Sequence, residues 1–321
     1  MLSIIVTSYT MERFESICGL LDSIKVQTYP DIEIIFVVER THELFNKIKL
    51  YAREKSITNI NVVFNYGEQG QSPARNFGIK YATGDIVSFV DDDEVLMPNW
   101  AEEMVKTYTD DSIIGATGSA IPLWEGQPLT WFPKEFYWII SCTAWCEWKE
   151  IREVRSAWGQ NMSFRKEAFD YCLFSSDYGH KAKEKSKAGL VVDDAEFSIN
   201  LRLKTGKKIL FNPNVCVEHR VFAYRLSNKF IKTQSYWQGY SKAVLKKVYR
   251  DDADTQGLMR EETLLNRILF KLYPQTLISF FSNPKRSLKV LSLSNSVLLY
   301  VALGYFSGSS KQLSFTKKYF N

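Results

Sequence analysis

Four short apolar runs recur early in the chain: LSIIVT (2–7), IEIIFVV (32–38), INVVFN (60–65) and DIVSFV (85–90). They are rich in β-branched and aromatic residues and apolar on both faces, the pattern of strands buried in a parallel sheet. Between them, MERFESICGLLDSIKVQ, THELFNKIKLYAREK and SPARNFGIKYAT repeat apolar residues at helical spacing. Pro73 behind Ser72 marks a helix start, and Gly84 is expected to close that helix. Strand–helix–strand alternation predicts an α/β fold, with a right-handed parallel sheet and flanking helices. Ligands of such sheets bind beyond the carboxyl ends of the strands. Thr7, Ser8, Tyr9, Glu39 and the run Asp91, Asp92, Asp93 all fall at that edge.

The middle of the chain is less regular. PLWEGQPLTWFPKEFYWIISCTAWCEW is crowded with tryptophan, and QNMSFRKEAF reads as a strand entering a helix. HKAKEKSKAGL (180–190) reads as a charged surface loop. VVDDAEFSINLRLKTGKKILFNP reads as a helix, a glycine stop at Gly206 and a strand. Beyond residue 220 come amphipathic segments such as LFKLYPQTLISFF and NSVLLYVALGYF, flanked by Lys and Arg. No uninterrupted run of about 18 apolar residues occurs, so no conventional spanning helix is expected. The N-terminus lacks the basic stretch and apolar run of a signal peptide.

Charge adds what hydropathy does not show. Residues 1–219 carry 24 Lys and Arg against 31 Asp and Glu, a net −7; residues 220–321 carry 17 against 5, a net +12. An acidic body with a basic tail implies that the tail meets an anionic surface. The five cysteines are odd in number and scattered, with no second pair or histidine cluster to complete a zinc site. Reduced thiols suit a cytoplasmic protein.

The chemistry concentrates in VDDDEV (90–95). Consecutive carboxylates at a strand end repel one another and lose solvation where water is excluded. Mg²⁺ or Mn²⁺ with a diphosphate relieves both costs, because these cations take oxygen ligands and share them between carboxylates and phosphates. Asp91 and Asp93 form the better pair, with Asp92 pointing elsewhere. The bland alternative is a solvated turn capping the helix near Pro98.

The series SIIVTSY, IIFVVE and QSPARNFGIKYATGDIVSFVDDDEVLMPNW resembles family 2 glycosyltransferases of the Rossmann-like GT-A fold. These are inverting enzymes that use nucleotide-diphosphate sugars. The resemblance implies a nucleoside site at Thr7, Ser8, Tyr9 and Glu39, where the family usually has Asp at the last position. It implies that Arg75 and Asn76 cover the sugar nucleotide beside Asp92, and that Asp91 and Asp93 hold the metal. WGQNMSFRKEAF resembles the acceptor-side segment. VVDDAEFSINLRLKTGKKILFNPNVCVEH resembles the stretch that supplies the base, here Asp194, with Asp193 at the family's Glu position. Asn200 stands where the family often has arginine. His219 matches a histidine that reaches metal or diphosphate, though a hydrogen-bonded structural role fits it nearly as well.

The expected division is a GT-A domain over 1–220, with a nucleotide-sugar half (1–95) and an acceptor half (96–220), followed by a membrane-associating helical region over 221–321. The tail also resembles that of transferases acting on polyprenyl- or dolichyl-linked acceptors. The expected partners are a UDP- or GDP-linked sugar, a lipid-linked or glycan acceptor, and the cytoplasmic membrane face. No nucleic acid is expected, for lack of a recognised module. Trp131, Trp138, Trp145, Trp148 and Trp158 are read first as packing, and second as sugar- or lipid-facing. Two rivals stand beside the transferase. A sugar nucleotidyltransferase would need a glycine-rich basic loop that is missing, and a non-catalytic partner would need none of Asp91, Asp93 and Asp194.

Overall fold

The computed structural model describes residues 1–176, 192–249 and 261–310. The charged loop expected over 180–190 lies outside the described residues. Among those described, nine strands form one sheet in the order β3-β2-β1-β4-β8-β6-β9-β5, with β7 paired to β9.

The predicted strands become β1 (Leu2–Ser8), β2 (Ile32–Val38), β3 (Ile60–Phe64) and β4 (Ile86–Asp91), all parallel. The connecting helices are α1 (Phe14–Lys25), α2 (His42–Glu54) and α3 (Gln71–Ile79). The Thr41 hydroxyl caps α2 by accepting from Leu44 N–H. Helix α3 stops at Ile79, before Gly84. The glycine is needed instead because a Cβ there would lie 2.7 Å from Ser3 Oγ and 2.8 Å from the Met1 carbonyl. Its role is close approach to β1.

β5 (Glu94–Leu96) and α4 (Trp100–Lys106) follow, then β6 (Ile113–Trp124), β7 (Arg152–Val154) and β8 (Asn161–Arg165). β8 runs antiparallel between β4 and β6. A residue-95 division therefore falls inside β5. The strand-to-helix reading of 160–169 gives β8 and the short α5 (Ala168–Tyr171). Helix α6 (Asp193–Thr205) ends at Gly206, whose φ of 65° is the left-handed cap, and β9 (Lys208–Val221) follows. Two apolar clusters sandwich the sheet: one on α1, α2 and α4, the other on α3 and α6.

The tail begins with α7 (Asn228–Val248), capped by Ser227 Oγ accepting from Phe230 N–H. Then come α8 (Glu261–Arg267), a π turn at Ile268–Leu272, α9 (Tyr273–Ser279) and α10 (Pro284–Ser310). Phe132, Phe136 and Ile139 from the aromatic middle pack with Ile231, Ile268, Leu293 and Val297 of these helices. The tail therefore shares a core with the body.

The expectation of no spanning-length helix needs correction. Among the described residues α10 is long and apolar enough, by length and composition alone, to cross a membrane. Its serines hide this in a count of uninterrupted apolar residues. Ser294 Oγ returns its hydrogen bond to the Val290 carbonyl at 2.8 Å, so the helix continues through a polar residue.

α7 and α10 cross backbone to backbone. A Cβ on Gly239 would lie 2.0 Å from the Val301 carbonyl oxygen, and one on Gly304 1.9 Å from that of Tyr236. Gly304 and Gly308 form a GxxxG spacing, which permits such approach. Gly304→Val should cost about 3 kcal/mol or more, above the usual overpacking range because backbone must move. Thermal unfolding of the parent and the variant checks this expected loss.

Candidate active site

The carboxyl ends of β1, β2 and β4 open into a cleft of about 1450 Å³. Thr7, Ser8, Tyr9, Glu39, Arg75, Asp91, Asp92, Asp93, Asp193 and Asp194 all line it; Asn76 and His219 do not.

Each strand end holds its group by a distinct device. Ser8 Oγ donates to Asp92 Oδ2, tying the end of β1 to the turn after β4. Tyr9 is exposed, with the Arg40 guanidinium 4.6 Å from its ring centre. Buried Glu39 accepts from Asn65 Nδ2 at 2.8 Å and from Gly70 N–H at 3.1 Å. It thereby braces the loop entering α3. Burial raises its pKa, opposed by those hydrogen bonds.

Arg75, buried on α3, joins two distant carboxylates. Its Nη1 donates to Asp193 Oδ2 at 2.9 Å, and its Nη2 lies 3.6 Å from Asp91 Oδ1. Nη2 also donates to the Gly159 carbonyl at 2.9 Å. Asn76 turns away. Its Nδ2 donates to the Phe174 carbonyl at 2.7 Å, and its Oδ1 accepts from Phe174 N–H at 3.0 Å. The expected sugar-nucleotide contact at Asn76 gives way to this backbone clasp, which uses both ends of the amide.

The three aspartates differ in environment. The Asp91 side chain keeps 31% exposure, and enclosure by the cleft raises its pKa despite Arg75. Burial and the neighbouring Asp93 push Asp92 up to about 7. Burial acts upward on Asp93 too, but His219, Arg225 and Arg13 outweigh it and hold Asp93 low. Arg13 Nη1 is 2.6 Å and Arg225 Nη2 3.2 Å from Asp93 Oδ2. Neither arginine stands out in the sequence, since each reaches Asp93 only through the fold.

Behind Asp93, β5 pairs with β9 so that Glu94 faces His219. Both are fully buried, with His219 Nδ1 2.8 Å from Glu94 Oε1 and 3.6 Å from Asp93 Oδ1. Burial drives His219 down to about 4 and pushes Glu94 well above the usual carboxylate range. Among the described residues, Glu94 Oε2 and His219 Nε2 have no hydrogen-bond partner. Asp93, Glu94 and His219 bring ligand atoms within 4.8 Å of one another, a grouping that includes Glu94 rather than Asp91.

At the start of α6, Asp193 accepts from Ser72 Oγ at 3.0 Å and from Arg75. Asp194 Oδ2 accepts from Gly159 N–H at 2.8 Å, and its Oδ1 from Ala195 N–H at 2.7 Å. Burial, then the Asp193 charge, push Asp194 up to about 6. Trp138, Trp145, Trp148 and Trp158 line the same cleft. Trp148 and Trp158 stack at 5.8 Å against Phe211, whereas Trp131 packs with the tail. Packing and cleft lining are thus combined in the first group. Arg202 is structural, donating to Glu153 at 2.7 Å.

Known proteins share this architecture. A glucosyl-dolichyl phosphate glucuronosyltransferase of Haloferax volcanii is 29% identical over 271 residues, 84% of this chain and 85% of that protein. A mannosyltransferase of Pyrobaculum calidifontis, solved with GDP-Man and Mn²⁺, superposes with a TM-score of 0.60. That match has 16% identity and covers 95% of this chain and 86% of that one. GalNAc-T7, solved with UDP, GalNAc and Mn²⁺, gives 0.52 at 15% identity, over 82% and 54% of the two chains. At such identities the structural likenesses establish the fold, GT-A. Residues 3–172, more than half of the chain, match the family described as glycosyl transferase family 2, and the chain belongs to that family of glycosyltransferases.

Proposed function

We propose that this glycosyltransferase moves a sugar, with inversion, from a UDP- or GDP-linked donor to a lipid-linked acceptor at the cytoplasmic membrane face. The carrying observation is that one cleft is lined by Asp91–Asp93, by Asp194 and by the tail helices. Family membership sets the nucleotidyltransferase alternative aside.

Mg²⁺ or Mn²⁺ fits the residues present. Clustered oxygen donors suit a hard cation, and Asp91 and Asp92, raised first by burial and then by the Asp93 charge, carry costs that a bound cation would relieve. The unpartnered buried His219 Nε2 and Glu94 Oε2 add spare donors behind Asp93. Asp91 and Asp93 would hold the ion, with His219 behind them. Bound there, it would supply Lewis-acid stabilisation to the departing diphosphate. Thr7, Ser8, Tyr9 and the loop braced by Glu39 would seat the nucleoside. Arg13 and Arg225 add positive charge where the diphosphate develops charge.

Asp194 faces the cleft with a pKa suited to a general base. As the bond from the sugar's anomeric carbon to the diphosphate breaks, the acceptor oxygen bonds that carbon from the opposite face. Asp194 takes the acceptor's proton. Arg75 and Asp193 hold the start of α6 in register with the Asp91 turn. The Haloferax relative, named for glucosyl-dolichyl phosphate, supports a phosphate-bearing lipid acceptor. Free thiols at all five cysteines support a reducing compartment.

The exposed tail supports the membrane. Leu269, Phe270, Leu277, Phe280 and Phe281 are all exposed, as is Ile278, with Phe270 at 78%, Ile278 at 74% and Phe281 at 93%. Lys271, Lys285, Arg286 and Lys289 flank them. Apolar insertion with basic flanks is the pattern of interfacial helices. Each cation near an anionic surface adds about 1 kcal/mol, screened over a Debye length of about 8 Å.

Three outcomes are expected. Nucleotide-sugar binding should require Mn²⁺ or Mg²⁺ and be mostly lost in Asp93→Asn; equal UDP or GDP affinity with chelator, by calorimetry, contradicts the metal assignment. Asp194→Asn should retain donor binding and slow transfer by about 10²-fold or more. A base works only when deprotonated, so kcat/KM should climb about tenfold per pH unit below about 6 and level off above it. Near-normal turnover, or no acid limb, removes Asp194 from the role. In vesicle flotation, the parent should bind anionic lipid in a way that salt weakens without abolishing. Phe270→Ser/Ile278→Ser/Phe281→Ser should lose most of that binding. Truncation at residue 220 is a poor test, because the tail shares the core of Phe132 and Phe136. Equal flotation of parent and triple variant would refute the membrane face.

A further inference from the structure

The geometry points to a specific seat for the acceptor. Its phosphate lies against Lys242 and Lys246 of α7, with Arg155 alongside, and its apolar chain lies along the groove between α8 and α10. This inference rests on the proposed function and assigns the acceptor side of the same cleft.

The argument begins with one helical stripe. Gln234, Gln238, Lys242 and Lys246 recur every fourth residue on α7, and all four line the cleft. Residues four apart share a helix face, so α7 turns a polar, increasingly cationic face inward. That is the reverse of a helix whose polar side serves only solvent. Lys247 reaches out of the stripe and donates to the Gly308 and Ser309 carbonyls at the end of α10.

The stripe ends beside the base. Tyr249 Oη donates to Glu196 Oε1 at 3.0 Å, pinning the end of α7 to the first turn of α6, where Asp194 sits. Arg155 follows directly on β7 and lines the cleft with Asp194. An anion held by these cations would present whatever it carries to the reacting centre, while Asp194 itself repels a bare phosphate. Charge therefore orders the acceptor with its phosphate at α7 and its hydroxyl towards Asp194.

The remaining wall is apolar. Leu264, Leu265 and Ile268 on one side and Val297, Leu298 and Val301 on the other line the same cleft. Leu265 is partly exposed, and the exposed Leu269 and Phe270 lie one turn further along. The apolar lining thus runs outward to the surface that we assign to the membrane. A ligand matching both walls is amphiphilic, with one phosphate or diphosphate head and a hydrocarbon chain.

Geranyl phosphate, geraniol and inorganic phosphate separate the two arms of this seat. They are titrated into the full chain, with binding followed by tryptophan fluorescence. UDP and GDP binding with Mn²⁺ is measured in parallel as the readout of the donor side. Geranyl phosphate should bind at least about tenfold more tightly than geraniol or inorganic phosphate. Lys242→Gln/Lys246→Gln should weaken it about ten- to a hundredfold, the scale of lost charged hydrogen bonds, with nucleotide affinity unchanged. Leu265→Gln should lower affinity for geranyl phosphate and geraniol but not for inorganic phosphate. Lys229→Gln, outside the cleft, should match the parent. Geranyl phosphate affinity unchanged in the double lysine variant, with nucleotide binding intact, overturns the seat and leaves the transferase reading standing. Equal affinity for geranyl phosphate and inorganic phosphate overturns the apolar arm. Absent nucleotide binding in the parent overturns the proposed function and the seat with it.

Discussion

Arg75 stands between two carboxylates that the chain order keeps over a hundred residues apart. Asp91 ends the fourth strand and Asp193 begins the sixth helix, and one buried guanidinium contacts both. The rest of the site follows from this arrangement. Packing acidic groups at the edge of a sheet costs solvation and raises mutual repulsion. Fixed cations must offset those costs before any ligand arrives. Arg75 does so on one flank, while Arg13 and Arg225 do so on the other at Asp93. Arginine suits the task because its planar fork serves two acceptors at once and stays charged when buried. The carboxylates at the end of β4 and at the start of α6 are thereby fixed in register with each other through one side chain.

Legibility in the sequence followed the range of the interactions involved. The first four strands, their parallel order and the carboxyl-edge placement of Thr7, Ser8, Glu39 and Asp91–Asp93 were readable, because buried parallel strands write themselves as apolar runs. The glycine stop at Gly206 was readable because a left-handed cap is a local demand. The sequence places Asn76 on α3, but the direction of its side chain depends on where Phe174 returns. Gly84 sits where a helix stop is expected but serves close approach to β1 instead. A helix stop and a close approach look alike until the neighbouring β1 is in place. Arg13 and Arg225 were silent because nothing near either residue marks it. Glu94 was visible beside the three aspartates, yet its pairing with His219 needed the register of β5 on β9.

The tail shows the same limit at larger scale. Its charge and amphipathicity were plain; Leu269, Phe270, Leu277, Phe280 and Phe281 are exposed, whereas Leu272 and Val297 of the same apolar segments pack into the core. Hidden from the sequence was the inward polar stripe of α7, because a helix with two useful faces gives a weak amphipathic signal. So was the crossing through Gly239 and Gly304, which requires knowing which two helices meet.

That crossing bears on reach. A domain tethered by a flexible linker samples a range of heights above a bilayer, and serves acceptors at any of them. Here α7 is entered within a few residues of β9, and the glycines lock it against α10 without side chains between. The segments that carry the aromatic surface of Phe270 and Phe281 pack through this crossing and the shared apolar core onto the body that holds the carboxylates at the sheet edge. When that surface rests on lipid, the distance from the bilayer to the reacting centre is a constant of the fold. On the membrane face proposed above, the fold would then act as a gauge of how far an acceptor's sugar stands above the bilayer.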